Sequence, residues 1–198
     1  MGVTFFADDP DPLDLAAVEE PVRDPRHGPA EDELPAVIGY GLRWATSEHA
    51  AIVVESARVF TDGVLFQIGR QVRRRDLSER QFQQLIHEDH FFVSEEGRRA
   101  RLQYGAILSD GQRLADSDLF DEDGVDDGAV LLRQGGSGGG GASSYRYADD
   151  LWLHPLPPAG SLELVVQWPA LQVPEHRITL PVGDLLRAAE QVTTLWSD

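Results

Sequence analysis

Ser161-Leu162-Glu163-Leu164-Val165-Val166-Gln167-Trp168 is the most regular apolar pattern in the chain. Large apolar side chains occupy its even positions, and polar Glu163 and Gln167 stand at odd ones. Side chains on a β-strand point alternately to opposite faces, so this period of two predicts a strand with one face in a core. The pattern therefore predicts a sheet whose buried face includes Trp168.

The same period of two recurs on both sides of this segment. It appears in residues 38–44, 52–59, 64–72, 102–108 and 178–180, whereas residues 129–132 are apolar throughout, as expected of a central strand. Asp62-Gly63 separates two of these runs and predicts a hairpin turn. About eight strands, with turn signals roughly every 8–15 residues, predict a mainly β protein built as an antiparallel β-sandwich. Too few helical segments lie between the strands to supply the crossovers of a parallel sheet.

Two helices are predicted beside the strands. One short inserted helix is expected near residues 76–90, because Asp76-Leu77-Ser78-Glu79 has a capping-box pattern and precedes apolar residues at helical spacing. A C-terminal amphipathic helix is predicted over residues 182–196, where apolar residues recur at i, i+3 and i+4. We expect Trp196 to anchor this helix on the sandwich. The alternative is that the apolar stripe contacts a partner protein or a second copy of the chain.

The net charge of −17 is concentrated in two segments. Residues 1–35 hold ten acids, two arginines and six prolines. Such a segment cannot bury enough apolar surface to offset the entropy of ordering, so we predict a disordered acidic arm over residues 1–35 and one domain over residues 36–198. Residues 116–127 add seven acids and no arginine. This charge disfavours nucleic acid as a partner, because its phosphates attract basic proteins.

Residue types that are missing exclude several chemistries. The chain contains no cysteine and no lysine, and all 17 basic residues are arginines. A thiolate nucleophile, a Cys-ligated metal, a Schiff-base lysine and a P-loop lysine are therefore excluded. The lack of lysine and asparagine is typical of GC-rich coding, as in actinobacteria. No apolar segment is long enough to span a membrane and no signal-peptide pattern is visible, so we expect a cytoplasmic protein without membrane insertion.

A glycine-rich segment at residues 135–141 offers the first candidate site. Gly135-Gly136-Ser137-Gly138-Gly139 matches the G-x-S-x-G pattern of hydrolases. The hydrolase serine needs a strand-to-helix turn, and no helix pattern follows this segment. Glycines without a following helix predict a flexible loop. Its backbone N–H groups could still bind an anion or another small molecule between Arg133 and Arg146.

Two further patterns resemble metal sites. His87 and His90 stand three residues apart, a spacing that can hold a metal on a helix, although no third ligand is evident. The acidic residues 116–127 resemble a calcium loop, but the first and last ligand positions lack carboxylates when the loop is aligned on Gly124. We expect a helix C-terminus and a solvated connector at these places, and no cofactor. A metal-dependent or hydrolytic enzyme that uses His87 and His90 is the enzymatic alternative.

The arginines form a single basic cluster along the chain. Its members are Arg70, Arg73, Arg74, Arg75, Arg98, Arg99 and Arg101. Such a cluster can offset one of the acidic segments within the chain, or it can bind an acidic partner. The sequence leaves both possibilities open.

The run Trp152-Leu153-His154-Pro155-Leu156-Pro157-Pro158-Ala159-Gly160 follows the glycine-rich segment and leads to Trp168-Pro169. It resembles a group of uncharacterised actinobacterial proteins. The resemblance covers residues 36–198 and is strongest from Gly135 onward. It implies an immunoglobulin-like antiparallel β-sandwich, and it implies no activity. The helical insertion and the acidic segment 116–127 depart from that group.

We expect a non-catalytic protein-interaction or regulatory protein whose partner is another protein. The glycine-rich loop leaves one apolar strand and enters another that bears tyrosine and arginine, the side chains that most often anchor interfaces. An alternative is that the loop is surface slack, which a fold tolerates. The candidate binding residues are Arg133, Gly135, Gly136, Gly138, Tyr145, Arg146 and Tyr147.

Overall fold

A computed structural model describes residues 23–87, 100–118 and 128–196 of the chain. The described part is mainly β, as the sequence predicts. The strands are β1 Glu33–Leu34, β2 Ala36–Thr46, β3 Ala50–Val59, β4 Val64–Arg73, β5 Gln103–Ile107, β6 Arg113–Asp118, β7 Val130–Gly140, β8 Ser144–His154, β9 Ser161–Trp168, β10 Val173–Pro181 and β11 Thr193–Thr194. The α-helices are α1 Glu79–His87 and α2 Val182–Ala189.

Nine strands form one continuous sheet that curls into a nearly closed barrel. The strand order is β10-β9-β5-β6-β7-β8-β4-β3-β2, and Cα atoms of the two outer strands, β10 and β2, come within 8 Å of each other. This arrangement differs from the immunoglobulin-like sandwich expected from the sequence. The period of two marks which side chains face inward, but it does not say which strand edges are hydrogen-bonded.

Strand β6 joins the two halves of the barrel. It pairs with β5 in antiparallel orientation through residues 113–115, and it then pairs with β7 in parallel orientation through residues 116–118. A sandwich would leave these halves as two separate sheets. The switch of partner within one short strand therefore turns two layers into one curved sheet.

The apolar face predicted for β9 is confirmed as part of the core. Its four members are buried, and they pack with inward side chains from the other strands. They are Leu162, Leu164, Val166 and Trp168. The predicted turn at Asp62-Gly63 is also present, where the amide of Phe60 donates to the Gly63 carbonyl at 2.9 Å and joins β3 to β4.

The C-terminal helix is shorter than predicted. Helix α2 buries Val182, Leu185 and Ala188 and contacts β2 and β3. It ends at Ala189, and the chain then pairs with residues 33–34 as β11. Trp196 is 75% exposed, so the expectation that it anchors the helix was wrong. A two-stranded pairing draws this residue away from the barrel.

Helix α1 begins with a reciprocal cap. The Ser78 hydroxyl accepts a hydrogen bond from the Gln81 amide at 3.3 Å, and the Gln81 side chain accepts one from the Ser78 amide at 3.0 Å. The capping box is thus Ser78 with Gln81, the third residue of the helix, and it lies two residues later than the Asp76-to-Glu79 box that the sequence predicts. The predicted helix extends to residue 90, and residues 88–90 lie outside the described residues.

Residues 23–35, which the sequence assigned to the arm, pack on the outside of the barrel. The indole of Trp152 donates to the Pro25 carbonyl at 2.9 Å, and the Gln134 side chain donates to the His27 carbonyl at 2.7 Å. Arg23 forms an ion pair with Asp62 at 2.9 Å. Residues 1–22 of the predicted arm lie outside the described residues. In the described part, no helix has the length and apolarity to cross a membrane.

Candidate functional site

The glycine-rich segment belongs to a β-hairpin rather than to a flexible loop. Residues 135–140 complete β7, and the Gly141 amide closes the hairpin by donating to the Ser144 carbonyl at 2.9 Å. The expectation of a loop was wrong because glycine can continue a ladder when the neighbouring strand supplies the side chains. The register pairs are Gly136–Asp149, Ser137–Ala148, Gly138–Tyr147, Gly139–Arg146 and Gly140–Tyr145.

Alternate glycines make room for the strand opposite. A Cβ atom at Gly138 would overlap the Tyr147 ring, and one at Gly140 would overlap the backbone of β8. A Cβ atom at Gly139 would meet nothing within 4 Å. Gly135 stands at a bulge with a φ of +107°, a conformation that other residues rarely adopt. Packing therefore accounts for alternate glycines of β7 and backbone geometry for Gly135.

Two tyrosine rings lie beside this glycine strand. The rings of Tyr145 and Tyr147 stack with centroids 6.1 Å apart and planes at 28°. Tyr147 also covers the Arg70 guanidinium, whose central carbon lies 4.2 Å from the ring centroid. Partial burial raises the pKa of the Tyr147 hydroxyl above its usual value of 10.0. Both rings are half-buried, which fixes them in place while leaving part of each accessible.

Along residues 136–140, β7 has no neighbouring strand on its outer edge among the described residues. Hydrogen-bonded and non-bonded pairs alternate in an antiparallel ladder, and the Gly141–Ser144 pair is bonded. The backbone groups of Gly136, Gly138 and Gly140 consequently point away from β8. On that side β6 pairs only with residues 131–133. Within the described ranges, no strand covers the edge of residues 136–140.

A buried polar network supports the inner face of the hairpin. The Arg70 guanidinium binds the Asp149 carboxylate through Nε at 2.7 Å and Nη2 at 3.0 Å. The Tyr104 hydroxyl donates to the same carboxylate at 2.7 Å. Burial, together with the Asp149 charge, raises the pKa of Tyr104 well above 10.0. No substrate could reach the Asp149 side chain, which is 1% exposed, so the network holds β4, β5 and β8 together.

Arg133 serves the same structural purpose at the point where β5 and β6 separate. Its guanidinium forms an ion pair with Asp116 and donates to the Leu102 carbonyl at 3.1 Å. Asp116 in turn accepts a hydrogen bond from the Tyr104 amide at 3.0 Å. The Asp116 carboxylate thus replaces the backbone acceptor that β6 would otherwise present to β5. This engagement also leaves Asp116 poorly placed to act as a calcium ligand.

The structure brings together only some of the predicted binding residues. Gly136, Gly138, Tyr145 and Tyr147 form one surface along the hairpin. Arg133 points into the barrel, whereas exposed Arg146 lies on the outer face. The two arginines therefore do not flank one anion site.

The hydrolase pattern has no supporting geometry. Ser137 lies in the middle of β7, opposite Ala148, and a strand follows it instead of a helix. His87 is the last residue of α1, and His90 lies outside the described residues. No group of three metal-ligating side chains occurs among the described residues. Residues 119–127 of the acidic segment are also outside the described part.

A serine, a histidine and an aspartate meet at the turn between β2 and β3. The Ser47 hydroxyl accepts the amides of His49 at 3.3 Å and Ala50 at 3.1 Å, as a turn cap does. The two ring nitrogens of His49 face the Arg73 carbonyl at 3.4 Å and the Asp76 carboxylate at 3.5 Å. Neither nitrogen is directed at the Ser47 hydroxyl, so this group is not a catalytic triad.

Sequence reasoning missed the buried network behind the hairpin. Arg70 was grouped with the neighbouring surface arginines, although it stands in phase with inward-facing Ile68 and Val72. Asp149 likewise stands in phase with Leu151 and other buried residues of β8. A charged residue in the apolar phase of a strand was the signal that could have found both.

Comparisons with known proteins identify no relative from which a function could be transferred. No protein-family model, no curated protein and no solved structure matches the chain.

Proposed function

We propose that the protein is a non-catalytic interaction module that binds an extended segment of a partner protein along the edge of residues 136–140. The observation that carries this proposal is the row of backbone donors and acceptors at Gly136, Gly138 and Gly140, which no described strand covers. An extended peptide can add to such an edge as a further strand, and main-chain hydrogen bonds then supply affinity.

This edge lacks the devices that normally prevent strand pairing. Edge strands in natural proteins are short, charged, interrupted by proline or bulged away from their neighbours. Residues 136–140 are four glycines and one serine, and the ladder stays regular after the bulge at Gly135. Each backbone hydrogen bond to an added strand contributes a net value of about 1 kcal/mol. Several such bonds, with side-chain contacts, support reversible binding.

The tyrosine pair gives this edge a way to select its partner. Because β7 has no side chains at Gly138 and Gly140, the Tyr145 and Tyr147 rings lie over the glycine strand. An inward side chain of an added strand would meet these rings. Aromatic, aliphatic and arginine side chains gain most from such contacts. The preferred partner segment is therefore extended and carries one of these residues at alternate positions.

We also propose that the actinobacterial proteins that this chain resembles share the same hairpin. The run that carries it, residues 152–160, completes β8 immediately after the hairpin and leads into β9. Relatives that keep this run should also keep the alternate glycines of β7 and the tyrosines opposite them.

Binding at this edge can be tested by introducing charged side chains beside it. Ser137→Lys with Gly139→Lys places two ammonium groups on the outer face, where a Cβ at Gly139 meets no neighbour. Peptides are selected from a random library against the wild-type chain, and their affinity for both proteins is measured. We expect the lysine variant to lose binding, because charges on an edge oppose strand addition, and to stay folded with only a small drop in melting temperature from the like charge of Arg146 opposite residue 139.

A matched control places the same two charges at exposed sites away from the hairpin, through Gln112→Lys with Ala170→Lys. This control should bind like the wild type. Amide exchange in the complex should become slower at Gly136, Gly138 and Gly140. Selected peptides that bind the hairpin variant with unchanged affinity, or that protect amides elsewhere, would refute the proposed edge.

A further inference from the structure

The outer surface of the barrel carries a second feature, which is independent of the glycine edge. Arg43, Arg73 and Arg146 project outward from β2, β4 and β8, and we call this surface the outer basic face. Register connects them across the sheet, since Arg43 lies opposite Val53 in β3 and Arg146 lies opposite Gln71 in β4. Strands are about 4.8 Å apart, so Arg43 and Arg146 are roughly 14 Å apart across the strands.

A groove of about 430 Å³ lies on this face at the β2–β3 turn. The Arg73 side chain lines it and donates from Nε to the Glu48 carbonyl at 2.6 Å, which holds the guanidinium beside the groove. The remaining lining is small or polar and includes Ala51 and Gln71. The groove is therefore an open cleft with a cation at its border, rather than an apolar pocket.

The arginines of the outer basic face have no carboxylate partner among the described residues. Two acids close to the groove in sequence contact other side chains, since Glu48 lies 4.0 Å from Arg75 and Asp76 lies 3.5 Å from the His49 ring. The guanidinium of Arg73 donates to the backbone carbonyl of Glu48. The positive charge of this face is consequently available to an acidic ligand.

Most of the negative charge of the chain lies outside the described residues. The described residues hold 15 of the 17 arginines and 18 of the 34 acids, a net charge of −3. The other residues therefore carry −14 of the total of −17. Residues 1–22 alone contain six acids and no arginine. Residues 1–22 are therefore an acidic segment whose charge complements the outer basic face.

The acidic residues of this segment are within reach of the groove. Arg23 is fixed beside Asp62, at the opposite end of β4 from Arg73. Ten residues of strand span about 33 Å. Asp14 and Asp8 precede Arg23 by 9 and 15 residues, which permits extended spans of roughly 30 and 50 Å. The segment from Arg23 back to Asp8 is therefore long enough to run along β4 and reach the groove.

We propose that residues 8–14, Asp-Asp-Pro-Asp-Pro-Leu-Asp, dock on the outer basic face of the same chain. Pro10 and Pro12 favour an extended conformation, which lowers the entropy lost on docking. Four carboxylates then spread over roughly 19 Å, which is enough to span the roughly 14 Å between Arg43 and Arg146. Attachment at Arg23 makes the contact intramolecular, so modest ion pairs suffice for a populated complex. The Glu55 carboxylate lies over Gly69, which the register places between Arg43 and β8, so the outer basic face also holds one negative charge among its three arginines.

A single spin label on the full-length chain tests this docking. The chain has no cysteine, so Ala7→Cys provides a unique attachment site for a nitroxide. At low ionic strength the label should broaden the amide signals of Ala51, Gln71 and Arg146. In about 1 M salt, where charges are screened within roughly 3 Å, the broadening should disappear.

Charge variants separate this contact from chance proximity. Arg73→Gln with Arg146→Gln should weaken the broadening several-fold, because each exposed ion pair adds part of the attraction. Arg113→Gln with Arg177→Gln, which removes equal charge from β6 and β10, should leave it unchanged. The result is read without any partner protein, so it stands apart from strand addition at residues 136–140.

Three results would overturn the proposal. The first is the absence of broadening at low salt. The second is broadening that persists in the Arg73 and Arg146 variant. The third is broadening that appears when an isotope-labelled chain without the nitroxide is mixed with an unlabelled chain that carries it, because that result assigns the contact to a second copy.

Discussion

Arg70 and Asp149 form a two-point ion pair inside the barrel, with side chains only 5% and 1% exposed. The guanidinium lies under two rings, 4.2 Å from the centroid of Tyr147 and 5.4 Å from that of Trp168. The carboxylate also accepts the Tyr104 hydroxyl at 2.7 Å. One pair of charges therefore links four strands, β4, β5, β8 and β9, behind the glycine-tyrosine hairpin.

Removing one member of this pair should be more harmful than removing both. Arg70→Met or Asp149→Leu alone leaves an uncompensated buried charge, and each should lower the free energy of unfolding by about 3–5 kcal/mol. The double variant should cost less than the sum of the two single ones, because no buried charge remains. Urea unfolding of all four proteins measures this. Additive losses would contradict a direct coupling between the two side chains.

The location of this pair explains what the sequence could and could not predict. The period of two identified β9 and its buried face, because large apolar side chains at alternate positions are typical of a half-buried strand. Arg70 and Asp149 also stand in the inward phase of their strands, a signal that the sequence analysis did not use. The period of two could not indicate that the two residues meet, because they are 79 positions apart in the chain and only strand order brings β4 beside β8.

Substitutions of neighbouring glycines should have opposite consequences. Gly138→Ala forces a Cβ into the Tyr147 ring and should cost about 1–3 kcal/mol, the usual range for overpacking. Gly139→Ala meets no neighbour and should be neutral or slightly stabilising, because it reduces the freedom of the unfolded chain. Thermal or urea unfolding of the two variants checks this. Equal effects would mean that the tyrosine does not lie against β7.

Amide exchange should alternate along the glycine strand. Ser137 and Gly139 point their amides toward β8 and should exchange slowly, as ladder amides do. Gly136, Gly138 and Gly140 point theirs to the outer edge and should exchange rapidly. Hydrogen exchange followed by NMR resolves each residue. Slow exchange at all five positions in the free protein would show that this edge is already covered and unavailable to a partner.

The closed shape of the sheet could not be predicted either, because it also depends on which strands are neighbours. A sandwich and a barrel place the same side chains inward, so alternation alone does not distinguish them. The difference arises in β6, where Ala115 pairs with β5 and Asp116 pairs with β7. Asp116 and Arg133 stabilise this change of partner through their ion pair. The prediction of a loop at the glycines was wrong for a similar reason. Alternate glycines are needed because the tyrosine rings of β8 occupy the space where their side chains would be.

Stability should fall steeply in alkaline solution. Burial raises the pKa of Tyr104 well above 10.0, and burial together with the Asp184 charge raises that of Tyr40 to about 12. The unfolded chain releases these protons near pH 10 while the folded chain keeps them. The stabilisation is therefore complete below pH 10 and is lost as the pH rises above it.

Tyr104→Phe isolates one of these protons. It should reduce the slope of unfolding free energy against pH above pH 10 by about 1.4 kcal/mol per pH unit. The absolute stability at neutral pH also falls, because Asp149 loses a donor, so the slope is the informative quantity. Urea unfolding at several pH values gives it. A slope identical to that of the wild type would show that Tyr104 ionises in the folded protein.

Two tryptophans near the end of the chain provide a matched pair. Trp168 is 3% exposed, closes the apolar face of β9 and covers the Arg70 guanidinium. Trp168→Ala should therefore cost about 3–5 kcal/mol, as truncation of a large core aromatic does. Trp196 is 75% exposed beyond β11, so Trp196→Ala should change the free energy of unfolding by less than about 0.5 kcal/mol. Urea unfolding measures both changes, and a large loss for Trp196→Ala would mean that this side chain packs against the barrel, as the helical pattern first predicted.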